Sequence, residues 1–249
     1  MYAHMDIKLN TDIEYKKLSA LQGVLFEHIR EDYRDELHSQ KLHPYSQYLY
    51  RTASGDTIWR INTLNEEAYN AIIEPLNMDS FCAFHLAHGD MDVEVVSKSV
   101  EQIKRNELIK RFNEEACGKY IRIQFITPTA FKQNKRYRCM PDMRLIYQSL
   151  MMRYSEFSPK LDMFDEETLE QLSENSLITG YKLKTMSFPM EGMRITGFVG
   201  NITIRNFGSE IMSRYIRLLA EFGEYSGIGI KTGMGMGAIR IIKEKSGDA

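Results

Sequence analysis

Ala3-His4-Met5-Asp6-Ile7-Lys8-Leu9 sets the reading of the first half of this chain. Apolar side chains at 3, 5, 7 and 9 alternate with polar ones, the period of a strand with one buried face. Thr11-Asp12-Ile13-Glu14 follows as a capping-box pattern. Leu18, Leu21, Leu25 and Ile29 then fall on one helical face, which predicts a first helix. Tyr45 to Arg51 and Thr57 to Asn62 predict two strands around the turn Ser54-Gly55-Asp56. Asn65 predicts the cap of a second helix, with Glu66 and Glu67 in its first turn and Ala68, Ile72 and Leu76 inward. Phe81 to Ala87 and Met91 to Val96 predict strands flanking Gly89-Asp90. The order is βαββαβ, with the last strand doubled into a hairpin.

Residues 98–118 are charged and predict a helical linker, after which the pattern begins again. Ile121, Ile123 and Phe125 alternate as a strand, and Pro141 suits a first helical position. Ile146, Leu150 and Tyr154 continue at helical spacing. Asp165 to Ser173 predicts an inserted helix. Tyr181 to Ser187 and Arg194 to Arg205 predict strands around a Pro189–Gly192 turn. Ile211, Tyr215, Leu218 and Phe222 form a helical stripe ended by Gly223, and Ala238 to Lys243 predicts a last strand. The expected architecture is α+β: two tandem ferredoxin-like (RRM-like) domains, 1–118 and 119–249, with a C-terminal glycine-rich loop.

The 249 residues, 43% apolar, provide for substantial cores. Cys82, Cys117 and Cys139 lie far apart, which argues against a disulfide framework or a cysteine zinc site. The first residues lack a basic stretch followed by an apolar one, and no apolar run is long enough for a membrane span. These features predict a soluble cytoplasmic protein. The net charge of −2 excludes a wholly basic nucleic-acid binder, but its distribution is uneven. Residues 1–118 carry 13 basic and 20 acidic side chains, net −7; residues 119–249 carry 19 and 14, net +5. Lys132, Lys135, Arg136 and Arg138 cluster in the second half around Phe131 and Tyr137. Cations interleaved with aromatics suit single-stranded RNA, with charge on phosphates and rings on bases.

Six glycines, Gly223, Gly227, Gly229, Gly233, Gly235 and Gly237, fall within fifteen residues around Lys231 and Thr232. A phosphate-binding P-loop would need glycine where Ile230 stands, and a dinucleotide fingerprint would need a strand before the cluster. A glycine loop beside a final strand is instead suited to offer backbone N–H groups to RNA phosphates, or to serve as a purely structural connection. His85-x-x-His88 with Asp90 and Asp92 has metal-ligand residue types. Residues three apart on a strand point to opposite faces, however, so no metal is expected there. Trp59 and most of the fifteen methionines read as core.

The run Gly227-Ile228-Gly229-Ile230-Lys231-Thr232-Gly233-Met234-Gly235-Met236-Gly237 resembles the C-terminal signature of the RAMP superfamily of CRISPR-associated proteins. Thr127-Pro128-Thr129-Ala130-Phe131, followed by Pro141 to Leu150, resembles more particularly the precursor-RNA-processing endoribonucleases of that superfamily, the Cas6 family. The resemblance implies tandem ferredoxin-like domains, in agreement with the repeat read above. It also implies metal-independent cleavage within CRISPR repeat RNA, without a cofactor, by 2′-hydroxyl attack giving 2′,3′-cyclic phosphate and 5′-hydroxyl ends.

Such chemistry needs a base for the hydroxyl proton, an acid for the leaving oxygen and a cation or phenol for phosphoryl charge. The family carries its histidine after the first helix, before a basic-Pro-aromatic stretch. Here Leu37-His38-Ser39-Gln40-Lys41-Leu42-His43-Pro44-Tyr45-Ser46 occupies that place. The resemblance favours His38, and His43 takes the basic position before Pro44, so either could act. Tyr33 and Lys41 are the nearest phenol and cation. The expected RNA contacts are Lys132, Lys135, Arg136 and Arg138 together with Gly227, Gly229, Lys231, Thr232, Gly233 and Gly235. Repeat RNA, precursor and processed, is the expected partner; a CRISPR effector complex and a second copy of the chain are left open. Two rivals stand: a RAMP subunit that holds guide RNA without cutting it, and a metal phosphohydrolase built on His85, His88, Asp90 and Asp92.

Overall fold

The computed structural model describes all residues except 14–16, 88–89, 116, 159–163, 191 and 243–249. Its first sheet contains β1 (Tyr2–Leu9), β2 (Tyr45–Arg51), β3 (Thr57–Thr63), β4 (Ala83–Leu86) and β5 (Met91–Ile103) in the order β2-β3-β1-β5-β4. Every neighbouring pair is antiparallel. The arrangement is the ferredoxin-like sheet with its last strand doubled by the β4–β5 hairpin. Helices α1 (Ala20–Glu27) and α2 (Glu31–Ser39) cross from β1 to β2. The crossover from β3 runs through α3 (Glu66–Ala68), a π-helical turn (Tyr69–Ile73) and α4 (Glu74–Asn77). Asn65 caps it as expected, its side chain accepting from the Ala68 N–H at 2.7 Å.

Two features of the first half differ from the sequence expectation. Among the described residues the first α-helix opens at Ala20, and Glu14 of the Thr11–Glu14 pattern lies outside them. Asp12 instead reaches the β2–β3 hairpin, accepting from Arg51 and Thr57. The helix also stops before Ile29, and a second one starts at Glu31-Asp32, acidic residues that suit a helix N-terminus. Lys98 to Ile103 belongs to β5, not to a linker. That stretch pairs with β1 from Ile7 back to Tyr2, with Lys98 partly buried and Glu101 exposed on opposite faces of the strand.

The second sheet contains β6 (Tyr120–Thr129), β9 (Ser176–Met190), β10 (Met193–Asn206) and β11 (Ile239–Ile241) in the order β11-β6-β10-β9, again antiparallel. Helix α5 (Arg105–Glu114) precedes it. Helices α6 (Met143–Phe157) and α8 (Glu210–Ser226) make the two crossovers, and α7 (Glu166–Glu174) is the expected inserted helix. Asp142, not Pro141, closes the start of α6: its side chain accepts from the Leu145 N–H at 3.0 Å. Helix α8 runs through Gly223 and stops before Gly227. Its Ile211 is 68% exposed, and the buried stripe instead includes Ile216, Leu219 and Phe222. The predicted stripe began one turn too early because Ile211 sits beyond the edge of the sheet's cover.

The two cores interlock. Ala130, Phe188, Ile195 and Met236 from the second half pack with Met5, Leu18, Tyr45 and Trp59 of the first. Tyr2 and Leu64 from the first half pack with Phe125, Leu150 and Phe222 of the second. The seam where β2 meets the glycine loop is therefore a packed interior. Among the described residues no helix is long and apolar enough to cross a membrane.

Candidate active site

The C-terminal turn of α2 and the start of β2 bring the two candidate histidines to one corner. His38 lies in the last turn of α2, exposed, with its ring edge-on to Phe26 at 5.1 Å. His43 lies one residue before Pro44, whose carbonyl accepts from the Leu64 N–H at 2.8 Å and so ties this connection to the sheet. The His43 ring stacks on Tyr45, centroids 5.5 Å apart and 11° from parallel. The Tyr45 hydroxyl accepts from Gln22 at 2.9 Å. The site's stacking partner is thus itself held in place.

The glycine loop closes the other side of His43. Gln47 of β2 donates to the Gly233 carbonyl at 2.7 Å, and Trp59 donates to Gln47 at 2.8 Å. A Cβ at Gly233 would stand 3.0 Å from His43 Nδ1 and 3.0 Å from the Tyr45 ring. A side chain there would make His43 or Tyr45 give way by a few tenths of an ångström, and glycine avoids this. Gly229 is fixed twice from α6: its N–H donates to Ser149 Oγ at 2.8 Å and its carbonyl accepts from Arg153 at 3.2 Å. Its φ of +84° and the Ala130 carbonyl against its Cα exclude a side chain there.

Burial lowers the pKa of His43 from the ordinary histidine value, and the nearby charges of Arg153, Lys231 and His38 lower it further. A hydrogen bond with the Leu37 backbone pulls the other way. His43 is therefore kept neutral near pH 7, with cations as its charged neighbours. The charged groups that act on it most are Arg153, Lys231 and His38. Such a corner is suited to receive an anion.

The remaining predicted residues divide. Lys41 is exposed on the α2–β2 connection and available to a ligand. Tyr33 belongs to the core: it is 4% exposed, its buried hydroxyl has no hydrogen-bond partner among the described residues, and burial raises its pKa. It is not placed to meet RNA, because its spacing from Leu37 puts it on the inward face of α2. The glycine loop as a row of phosphate donors also needs correction. The N–H groups of Gly227, Ile228, Gly229, Ile230, Met234, Gly235, Met236, Gly237 and Ala238 are all spent within the protein. Gly227 and Gly235 are buried and structural. Among the described residues the N–H groups of Lys231, Thr232 and Gly233 are the ones left, at the turn where Lys231 adopts φ +59°; of these three residues Thr232 and Gly233 are buried and Lys231 is exposed.

Lys132, Lys135, Arg136 and Arg138 form an exposed hairpin, β7 (Phe131–Gln133) and β8 (Arg136–Arg138), turned at Asn134 and Lys135. Strand alternation splits the cluster. Lys132 pairs with Tyr137 and lies 6.0 Å over its ring, while Arg136 and Arg138 point to the opposite face. The hairpin is rooted at the glycine loop, since Ile230 N–H donates to the Ala130 carbonyl at 3.0 Å. At the other candidate site His85 bonds Asp92 at 2.8 Å and lies 3.5 Å from Asp90. His88 lies outside the described residues.

Sequence reasoning missed Arg153, Gln47 and Ser149. Ser149 and Arg153 are four apart on α6, one helical face, but that spacing alone reads as ordinary core edge.

The sequence model described as CRISPR-associated endoribonuclease Cas6 matches residues 123–239. A CRISPR-associated endoribonuclease Cas6 of Mycobacterium tuberculosis is 35% identical over 221 residues, covering 89% of this chain and 70% of the relative. One from Streptococcus thermophilus is 34% identical over 224 residues, covering 90% of each chain. Among solved structures, a Cas6 product complex superimposes with a TM-score of 0.79 at 21% identity, covering 97% of this chain and 99% of that one. With the two tandem ferredoxin-like sheets and the glycine loop docked at the histidines, these likenesses establish that the chain belongs to the Cas6 family of CRISPR-associated endoribonucleases.

Proposed function

We propose that this protein cuts CRISPR precursor RNA within its repeats by a metal-independent transesterification at the corner of His38, His43 and Lys231. The observation that carries the reading is the neutral His43 held against Tyr45 and Gly233 and surrounded by cations, in a chain of an endoribonuclease family. The 2′-hydroxyl gives its proton to a base as its oxygen bonds the neighbouring phosphorus. The bond from phosphorus to the 5′-oxygen breaks, and that oxygen takes a proton from an acid. A histidine that is neutral near pH 7 suits the base, so His43 takes that role. His38, facing solvent at the same corner, takes the acid's. Lys231, exposed at the turn of the glycine loop, would stabilise charge on the phosphoryl oxygens with its ammonium and its own N–H. Lys41 adds a cation nearby.

The acidic half thus contributes the histidines and the basic half grips the RNA. Lys132, Lys135, Arg136 and Arg138 on the β7–β8 hairpin would hold repeat phosphates beside the site. Incubating repeat RNA with the protein in excess EDTA and mapping the ends tests this. Products ending in 2′,3′-cyclic phosphate and 5′-hydroxyl support it. Binding without cleavage would favour a guide-holding subunit, and cleavage abolished by EDTA would favour metal chemistry.

A further inference from the structure

Arg153 stands on α6 with 5% of its surface exposed. One guanidinium nitrogen, Nη2, donates to the Gly229 carbonyl at 3.2 Å. Nε and Nη1 are buried without a hydrogen-bond partner among the described residues. No described carboxylate balances the charge, and burial alone depresses its pKa to about 10. A cation in this position is costly, since its buried unpaired donors give up their hydration without a replacement partner. An apolar side chain would pack there without that cost.

The location explains what the cost obtains. Ser149, one turn earlier, takes the Gly229 N–H while Arg153 takes its carbonyl. Gly229 is two residues before Lys231, whose αL conformation turns the loop toward β2. The loop then meets His43 at Gly233. Arg153 is also the first charged group, ahead of Lys231 and His38, to act on the His43 ring. The groups facing that ring are Arg153 from α6, Lys231 from the loop, His38 from α2 and the Tyr45 phenol from β2.

We propose that Arg153 is a positioning residue for RNA cleavage: clamped on Gly229 behind the glycine loop, its buried guanidinium fixes Lys231 beside His43 and makes that corner receptive to a phosphodiester. It does not touch the RNA. A phosphate arriving at His43 would supply a counter-charge to Arg153 where no described carboxylate does. The inference rests on the cleavage reading above.

Two variants test it, Arg153→Met and Arg153→Lys, each read in two ways. The first is the NMR titration of the His43 ring in RNA-free protein, assigned by its loss in His43→Asn. The second is single-turnover cleavage of repeat RNA at saturating protein. Arg153→Met should shift the His43 titration to higher pH and slow cleavage by about tenfold or more, the scale expected of a displaced catalytic group. Arg153→Lys keeps the charge without the fork, so it should titrate near wild type yet cut more slowly. An unshifted His43 in a folded Arg153→Met would overturn the role of the charge. Full wild-type cleavage by Arg153→Lys would overturn the clamp, and this arm stands even where the methionine variant does not fold. If the wild-type protein fails to cut repeat RNA, the functional reading falls. The titration is measured without RNA and still decides whether Arg153 acts on His43.

Discussion

Gln47 on β2 donates a 2.7 Å hydrogen bond to the carbonyl of Gly233, 186 residues further along the chain. This bond joins the two halves at the candidate site, because Gly233 is the point where the glycine loop touches His43 and Tyr45. The Gln47 side chain is used at both ends, since its oxygen accepts from Trp59.

Gln47→Ala leaves two buried groups unpaired, the Trp59 N–H and the Gly233 carbonyl. Each should cost on the order of 1–3 kcal/mol. Urea unfolding is expected to show that loss, and cleavage should fall as the loop loosens. Replacement without a change in the midpoint would mean that the seam is not a rigid contact.

Gly233→Ala puts a Cβ 3.0 Å from both His43 Nδ1 and the Tyr45 ring. The rings or the loop must give by a few tenths of an ångström, a fraction of the displacement near 1 Å that can cost about a hundredfold in rate. We expect single-turnover cleavage to drop by up to about tenfold on that scale. Filter-binding affinity for repeat RNA should change little, because the β7–β8 hairpin is untouched. Equal losses in binding and cleavage would move Gly233 from the chemistry to the RNA footprint.

The fold was readable where side-chain period and turn chemistry agree. Ala3 to Leu9 and Ile121 to Phe125 announced both central strands, and Gly55 and Asn65 announced a turn and a cap. Misreadings arose where a local signal was taken by a distant partner. Asp12 of the capping pattern is held instead by Arg51 and Thr57 of the β2–β3 hairpin. Lys98 to Ile103 is polar yet pairs with β1. The histidine corner was legible only through the resemblance, since two histidines beside a proline are common. Tyr33 shares one face of α2 with Leu37, four residues on, and only the packing of that face shows it to be core. Arg153 could not be read at all: its significance lies in being buried with no described carboxylate beside it, which only packing reveals.

Rate should depend on pH through His43. A base must be unprotonated, and this one has its pKa lowered, chiefly by burial and then by Arg153. The acid limb of the cleavage profile should therefore lie below the ordinary histidine pKa of about 6.5. Lys231→Met removes one of the cations and should move that limb toward higher pH. A limb unaffected by Lys231→Met would separate Lys231 from the proton transfer.

Charge reversal at Arg136 and Arg138 should weaken RNA binding and flatten its salt dependence, by roughly one unit of slope for each phosphate no longer neutralised. Both residues are exposed on one face of the hairpin. Tyr137→Ala, on the opposite face beside Lys132, should weaken binding with little change in slope, since stacking carries no charge. An unchanged slope in the arginine variants would remove the hairpin from the RNA footprint.

The central claim is that His38 and His43 carry out cleavage without a metal. Its most direct measurement is single-turnover cleavage of repeat RNA in excess EDTA by the wild-type protein, His38→Ala and His43→Ala, with the product ends mapped. We predict cyclic-phosphate products from the wild type, and losses of at least about a hundredfold in each variant, as removal of a general acid or base gives, with RNA binding retained. Wild-type rates in both variants, or wild-type cleavage abolished by EDTA, would contradict the account.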